Sequence, residues 1–452
     1  MKSLLSRFKW PFRTQATTPP EPLPEPRFES APAPTPPARR AAAIELQTLQ
    51  QLFPLRTLDE DTLKAFVLDR EADIYPEGSI LFRQGEPAHS VHYLLQGRVA
   101  LETAEGTGYE IQAGSAQARF PLYAGRQYNA TAQAKTEIQV LRISAQIMAQ
   151  CEPGATTLGT DTDPLDLELP DAVRDNPVFQ AFHEHYLGGG LALPTLPTVA
   201  AKLGQAIERD CHLRELAGHV QLDPVIGSRL VSVANSPLYH AGEPVNSCHD
   251  AIAVLGMAAT RNLVLGLCLK RVFESKEPRV NALLHTQWKQ SLQLSALCYV
   301  LAGENGGIDR EEALLAGLIA DIGALPFLSF LARTSGPAWS EADVQAILPL
   351  VRGPLGAHLL GRWHFPAELA RIPCLAENWY HDGGPRLDLA DIVILSKLHA
   401  YIGTPRRAEL PAINAIPAFS KLKEGKLSPE LSLDILAKAK HKIGQALKVF
   451  SG

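Results

Sequence analysis

Residue types able to do chemistry occur in this chain in small, scattered groups. His183-Glu184-His185, His249-Asp250 and His381-Asp382 each set imidazole beside carboxylate, the donor types that hold a catalytic metal ion. Each group is discounted by its surroundings. Two histidines two residues apart on a helix point to different faces. His249-Asp250 leads into an apolar helix from Ala251, where Asp250 reads as an N-cap. His381-Asp382 leads into Gly383-Gly384-Pro385, which reads as a turn. Cys151, Cys211, Cys248, Cys268, Cys298 and Cys374 include no CxxC pair, which argues against a zinc ribbon or a disulfide framework and fits a reducing compartment.

The elements that position such residues are clearest between Leu191 and Arg261, which read as several short helices with well-marked breaks. Leu193-Pro194-Thr195-Leu196-Pro197 is disfavoured as helix before each proline and predicts an extended lead-in. Val199, Leu203 and Ile207 then mark one helical face, and a second helix passes through Leu216 and Val220. Asp223 is placed to cap a third, with Pro224 at its first position, where the missing N–H costs nothing. That helix runs toward Ala234, Asn235-Ser236-Pro237 stops it, and Ala251 to Gly256 lies in the next.

Leu193-Pro194, Leu196-Pro197, Asp223-Pro224, Ala234-Asn235-Ser236, Ala251-Ile252 and Leu255-Gly256, in this order and spacing, resemble the HDOD family. That family is an all-helical bacterial signalling module related to HD-type metal phosphohydrolases, and the resemblance runs from about Asn176 to Ala400. In the hydrolase relatives an adjacent His-Asp pair, with further His and Asp residues, holds one or two metal ions. Here Ala320-Asp321 stands at that position, so one ligand is missing. The surrounding segment predicts a helix with Asp309 as cap, Glu312 three residues on, and Leu314, Leu315, Leu318 and Ile322 as its apolar face. Lys289-Gln290 precede Ser291 where those relatives tend to carry a histidine. Asn378-Trp379-Tyr380-His381 departs from the paired histidines often found there, in a region where Trp363-His364-Phe365-Pro366 and the helix from Leu389 through Leu398 continue the resemblance. A lone Asp321 is too few donors for a metal that needs about four to six, and it is expected to be a hydrogen-bonded polar residue inside the helical domain.

Ahead of this lies a segment with Gly78, Gly85 and Gly97 between short apolar runs, Ile80–Phe82, Val91–Leu95 and Val99–Leu101, and later Ile138–Ile143. These read as strands joined by turns in which glycine permits positive φ, after a helical start through Leu49, Leu52 and Leu55. Ile80-Leu81-Phe82-Arg83-Gln84-Gly85-Glu86 followed by Tyr93-Leu94-Leu95-Gln96-Gly97-Arg98-Val99 is similar to the β-roll of cyclic-nucleotide-binding domains. In that family a Gly-Glu pair opening a short helix holds the ribose, and an arginine before Ala-Thr holds the cyclic phosphate. Counting back from Ala130-Thr131 puts Tyr128 at the arginine position and Ala118-Arg119 at the Gly-Glu pair, so both charged contacts are missing. Arg119 and Arg126 could reach a phosphate only from another direction. The resemblance with these departures implies no ordinary cAMP or cGMP binding, and a β-roll kept for docking or dimerisation.

The remaining stretches link and flank these domains. Met1 to Arg13 mixes Lys2, Arg7, Lys9 and Arg13 with Leu4, Leu5, Phe8, Trp10 and Phe12, too short an apolar run for a secretory signal and expected to be a disordered tail. Pro19 to Pro37 is a Pro/Ala/Glu linker. Asp161, Asp163, Asp166 and Glu168 make a second, acidic one. A final helix from Ser428 places Ile435, Leu436, Ala439, Ile443, Leu447 and Phe450 along one side. The 452 residues suffice for two or three domains. A charged fraction of 20% and a hydrophobic fraction of 46% are those of a globular protein. A net charge of -5 gives no general pull toward nucleic acid, and no apolar run is expected to reach the roughly 20 residues that span a bilayer.

The reading is therefore an α+β multidomain chain. Residues 1–42 form a disordered Pro-rich segment, 43–150 a cyclic-nucleotide-binding-like β-roll, 151–175 an acidic linker and 176–452 an all-α HDOD domain with a C-terminal helix. The resemblances imply a bacterial, cytoplasmic signal-transduction protein that is not an enzyme and works by protein–protein interaction. No catalytic residue, cofactor-binding residue or metal ligand is expected, and no cofactor. The expected partner is a protein of the pathway, with no nucleic acid, no cyclic nucleotide and no membrane span, and a homodimer left open. The rival readings are a cyclic-nucleotide-responsive sensor and a divergent metal-dependent phosphohydrolase.

Overall fold

The computed structural model of the chain describes residues 38–55, 63–64, 71–103, 108–144, 165, 171–188, 217–218, 220–221, 223–235, 244–333, 338–404, 406–407 and 410–422. The segments expected at Met1–Arg13, Pro19–Pro37, Val199–Ile207 and Ser428–Phe450 lie outside them, as does most of the acidic stretch.

The described residues of the N-terminal part form eight antiparallel strands in two sheets. One has the order β1-β2-β8-β4, from Ala38–Ala43 (β1), Glu71–Tyr75 (β2), Ile138–Ser144 (β8) and Ser90–Gln96 (β4). The other has the order β3-β7-β5-β6, from Ile80–Phe82 (β3), Thr131–Ala134 (β7), Arg98–Glu102 (β5) and Gly108–Gln112 (β6). Alternation along β8 explains the layering. Ile138 and Val140 face the space between the sheets, together with Tyr75, Leu94, Val99 and Leu101. Leu141 and Ile143 face outward onto Leu49, Leu52 and Leu55, in and after the short helix α1 (Leu46–Leu49), so this strand is buried on both sides. Gly78, Gly85 and Gly97 all have positive φ, as the turn reading requires. The expected strands are all present. β1 corrects the expectation of disorder for residues 38–42 alone: it pairs with β2 as an edge strand. Pro37 is the last proline before it, so every residue of β1 has an N–H to offer a ladder.

The C-terminal part is helical. Its described elements begin with α2 (Asp171–Arg174) and α3 (Pro177–Leu187), followed by α4 (Pro224–Ala234), α5 (Cys248–Leu255) and α6 (Met257–Val272). The centre is α7 (Pro278–Asn305), against which α8 (Arg310–Ile319), α9 (Ala324–Arg333) and a later helix, α13 (Leu389–Ala400), pack. Between them run α10 (Glu341–Arg362), α11 (Ala367–Ala370) and α12 (Ile372–Leu375), and α14 (Pro417–Ser420) closes the described chain.

Caps set the starts. Asp223 accepts from the N–H groups of Val225 and Ile226 with Pro224 at the first helical position, and Asp309 accepts from Glu312 N–H, both as expected. Asp250 is a correction: the N-cap is Ser247, and Asp250 sits three residues in, its carboxylate accepting from the Ser247 hydroxyl. A serine four residues before the apolar run starts the helix earlier and makes the carboxylate a first-turn residue. Gly256, at φ 81°, then lets the chain turn by 116° from α5 into α6.

Two further expectations change. The acidic linker 151–175 already contributes apolar side chains to the helical core, Leu165 and Val173, and Asp171–Arg174 is helical. The run Arg310–Arg333 is long and apolar enough in composition to cross a bilayer, contrary to the expectation that none is. It is two helices, α8 and α9, with 89% of its most apolar stretch buried inside the protein, the pattern of a core hairpin in a helical bundle.

Candidate functional site

The helix expected to carry Asp321 ends before it. α8 stops at Ile319, and Ala320 to Gly323 form the link into α9, so Asp321 lies between helices. The link lies hard against α10. A methyl on Gly323 would collide with the Arg352 carbonyl oxygen, which makes glycine a requirement of the backbone approach there. This contact brings Arg352 of α10 to Asp321.

Around Asp321 the structure assembles a charge cluster from four separate parts of the chain. Lys397 Nζ, from α13, donates to Asp321 Oδ1 at 2.6 Å, and Arg352 Nη1 lies 3.4 Å from the same oxygen. Glu377 follows α12 and is ion-paired to Arg352 Nη2; its Oε1 also lies 3.4 Å from Lys397 Nζ and accepts from the Tyr401 hydroxyl at 3.1 Å. Arg406 Nη2 donates to the other Glu377 oxygen at 3.0 Å. The Lys397 side chain is 4% exposed and that of Asp321 9%, so these charges are out of bulk water and must neutralise one another. Burial alone would push the Asp321 carboxyl up, but Lys397 and Arg352 outweigh it and hold it below its ordinary range. Glu377 follows the same balance, with Lys397, Arg352 and Arg406 keeping it ionised. Three cations thus surround two carboxylates.

A metal ion does not fit these residues. The position beside Asp321 is taken by an ammonium, Ala320 has no donor, and among the described residues no group of three His, Cys, Asp or Glu side chains could hold one. On α7 the interior is faced by Trp288 and Ser291, while Lys289 and Gln290 are exposed. Lys289-Gln290, at which a histidine was expected, thus point away from the interior, because 100° per residue turns those two outward. Asn378, Trp379, Tyr380 and His381 are all buried close to Glu377 in sequence.

The other candidates separate. His183 stacks on Phe179 at 5.7 Å and His185 lies 5.3 Å from Phe330. His249 and Asp250 are exposed. His381 Nε2 meets Asp388 Oδ2 at 3.3 Å, and Asp382 lies 3.2 Å from Lys421 Nζ. Lys421 in turn donates to both Asp391 oxygens at 3.0 Å, where Asp388 and Asp391 form the capping box of α13. Burial and the neighbouring Asp388 push the Asp391 carboxyl up to about 6.

In the β-roll, Tyr128 points inward. Its ring stacks on Phe82 with centroids 3.9 Å apart, and its hydroxyl donates to the Ser90 carbonyl at 2.9 Å. Burial first, then the Glu86 carboxylate, keeps that phenol protonated well above its ordinary range. Buried His92 lies 5.3 Å from the Phe82 ring, and burial together with Arg142 lowers it to about 4, so it is neutral. Ala118-Arg119 fall in a three-residue 3-10 turn with Arg119 exposed, and Arg126 is ion-paired to Asp382 at 3.0 Å. Where the resemblance would set the phosphate-binding arginine, the structure thus has a buried, protonated phenol stacked on Phe82.

Family comparison agrees with this architecture. Residues 193–376 match the HDOD domain and residues 73–151 the cyclic nucleotide-binding domain. The chain carries both, in that order. The HDOD match covers Asp321 and Arg352 and ends one residue before Glu377, and the cyclic nucleotide-binding match covers the Tyr128 stack. A structure from Shewanella amazonensis SB2B, assigned by name to the metal-dependent phosphohydrolases, shares the fold at 22% identity, a TM-score of 0.51 and coverage of 59% of this chain and 98% of that one. An HDOD domain protein from Geobacter sulfurreducens aligns at 18% identity over 59% of this chain and 96% of that one, TM-score 0.44. A cyclic nucleotide-binding-like protein from Brucella abortus aligns at 21% over 24% of this chain and 95% of that one, TM-score 0.20. No curated protein matches the sequence.

Lys397, Glu377, Arg352 and Arg406 were not singled out in the sequence. A signal existed for two of them: Lys397 interrupts Ile392-Val393-Ile394-Leu395, Ser396 and Leu398, and Arg352 follows Leu348-Pro349-Leu350-Val351. A lone cation in an apolar run is rarely buried without a partner.

Proposed function

We propose that this chain is a bacterial, cytoplasmic signal-transduction protein whose HDOD domain acts by presenting a helical surface to a protein partner and hydrolyses no phosphodiester. Its β-roll works without cAMP or cGMP. The observation that carries the reading is the Lys397 ammonium 2.6 Å from Asp321. Metal-assisted hydrolysis needs a cation that can polarise the phosphoryl oxygen and activate water. An ammonium bound by a buried carboxylate has no open coordination position and takes no part in water ionisation.

The test is metal content by mass spectrometry, with turnover of cyclic dinucleotides and generic phosphodiesters, on the full chain and on Asp321→Ala. The expected result is no stoichiometric metal, no turnover, and a lower melting temperature for Asp321→Ala. Stoichiometric metal in the wild type together with turnover abolished by Asp321→Ala would overturn the reading.

A further inference from the structure

The two domains meet along one strip. Phe53, Phe120 and Tyr380 form a ring cluster with centroids 5.8 to 6.5 Å apart, and Phe120, although it lies in the β-roll sequence, belongs to the helical domain's core. The Ala124 N–H donates to the Ala415 carbonyl at 3.0 Å. Asn129 Nδ2 donates to the Asn414 carbonyl at 2.5 Å, and Arg126 Nε to Asp382 Oδ2 at 3.0 Å. Phe120, Ala124, Arg126 and Asn129 all come from the stretch that leads up to Ala130-Thr131, while Tyr380 and Asp382 share one short loop with Glu377.

We propose that residues 120–129 of the β-roll form a built-in clamp on the loop Glu377–Asp382 of the same chain, and that this clamp sets the geometry of the buried cluster around Asp321. Two routes lead inward from it. The first is the loop itself: the Asn378 N–H donates to Leu375 and the His381 N–H to Asn378, both at 3.0 Å, so Tyr380 and Asp382 cannot shift without turning the segment that begins at Glu377. The second passes from Asp382 to Lys421 and on to Asp391. Asp391 lies in the first turn of α13, and that helix delivers Lys397 to Asp321. Strand ladders and a packed helix transmit displacement because close-packed interiors give little. Contiguity alone is not coupling, and coupling is what the experiment reads. The proposal holds whether or not the HDOD domain hydrolyses anything.

The test is hydrogen–deuterium exchange on the full chain with two variants, both altered only in the β-roll. Asn129→Asp keeps the shape but sets a carboxylate against the Asn414 carbonyl. Arg126→Asp turns the ion pair with Asp382 into a repulsion. A control, Arg98→Asp, removes the exposed Arg98–Glu110 pair, which lies within the β5–β6 ladder of the β-roll. Arg126→Asp, which breaks the direct contact with Asp382, is expected to raise exchange about threefold or more in peptides covering 377–382 and to raise it in those covering 389–400, from loss of an ion pair plus repulsion. Asn129→Asp, whose partner Asn414 lies outside the loop, is expected to act in the same direction and less strongly, and the control not to act. A rise confined to 120–129 and 414–415, or no rise at 389–400 in either variant, overturns the proposal. Should Asn129→Asp fail to fold, Arg126→Asp, at a half-exposed side chain, decides alone.

Discussion

Replacing Lys397 by methionine removes the ammonium and keeps most of the side chain's volume. Asp321 then loses its 2.6 Å partner and retains Arg352 Nη1 at 3.4 Å. Breaking a buried pair by deleting one member costs about 3–5 kcal/mol, because the remaining charge stays desolvated. With Arg352 still present, Lys397→Met should fall at the low end, about 3 kcal/mol. At roughly 2–4 °C per kcal/mol for a domain of this size, the melting temperature should drop by about 6–12 °C. Removing both charges, Asp321→Leu with Lys397→Met, leaves nothing uncompensated between those two positions, and the double variant should be more stable than Lys397→Met alone. Thermal unfolding of wild type, Lys397→Met, Asp321→Leu and the double variant reads this directly. A drop of less than about 1 °C for Lys397→Met, or a double variant that loses the sum of the singles, would refute the claim that a desolvated ion pair holds this junction together.

Further expectations rest on other parts of the structure. Asp321 and Glu377 are held below the ordinary carboxylate range, so the unfolded chain takes up protons near pH 4 that the folded chain refuses. Stability should fall as pH drops through about 4, less steeply in Glu377→Gln, as followed by melting temperature against pH. Asp391, pushed up to about 6, has the opposite sign: between about pH 4 and 6 the folded chain holds the extra proton, stability falls as pH rises across that window, and Asp391→Asn should remove that component of the slope. Tyr128→Arg, which restores the arginine of the cyclic-nucleotide family, should not confer cAMP or cGMP binding in calorimetry. It should lower the melting temperature instead, because it buries a guanidinium where Tyr128 now stacks on Phe82. Gly323→Ala should cost several kcal/mol or prevent soluble expression, since its methyl has no room against the Arg352 carbonyl.

What was legible in the sequence was local or repetitive. Asp223-Pro224, Asp309 with Glu312, and the strands between Ile80 and Ile143 announce themselves within a few residues, because capping and alternation are short-range physics. The link that carries Asp321 was not, since Ala320 to Gly323 breaks no helix rule strongly, and the backbone approach of α10 is what ends α8 there. α10 itself runs through Pro349 and Pro354, which breaker rules would have used to divide it. The charge cluster was least legible of all. Asp321, Arg352, Glu377, Lys397 and Arg406 are drawn together by the packing of helices far apart in sequence, and no spacing rule relates them.

That difference bears on how the cluster should be understood. In a metal site the ligands are anionic or neutral donors and the cation is added from solution. Around Asp321 the cations are covalently part of α10 and α13, so their charge is present whenever those helices are packed. The cluster therefore stabilises one arrangement of α8, α10, α12 and α13 without any free ion. A displacement that separated Lys397 from Asp321 by even a few ångströms would break the shortest ion pair of the cluster and leave two desolvated charges to their longer contacts, Asp321 with Arg352 and Lys397 with Glu377. Such an element resists small drift and favours either the packed arrangement or a distinct one in which both charges find new partners or water. Chelators should therefore leave the melting temperature of the full chain unchanged, whereas Lys397→Met should lower it. A chelator-induced drop that added metal reverses would mean that a bound ion, and not Lys397, balances Asp321.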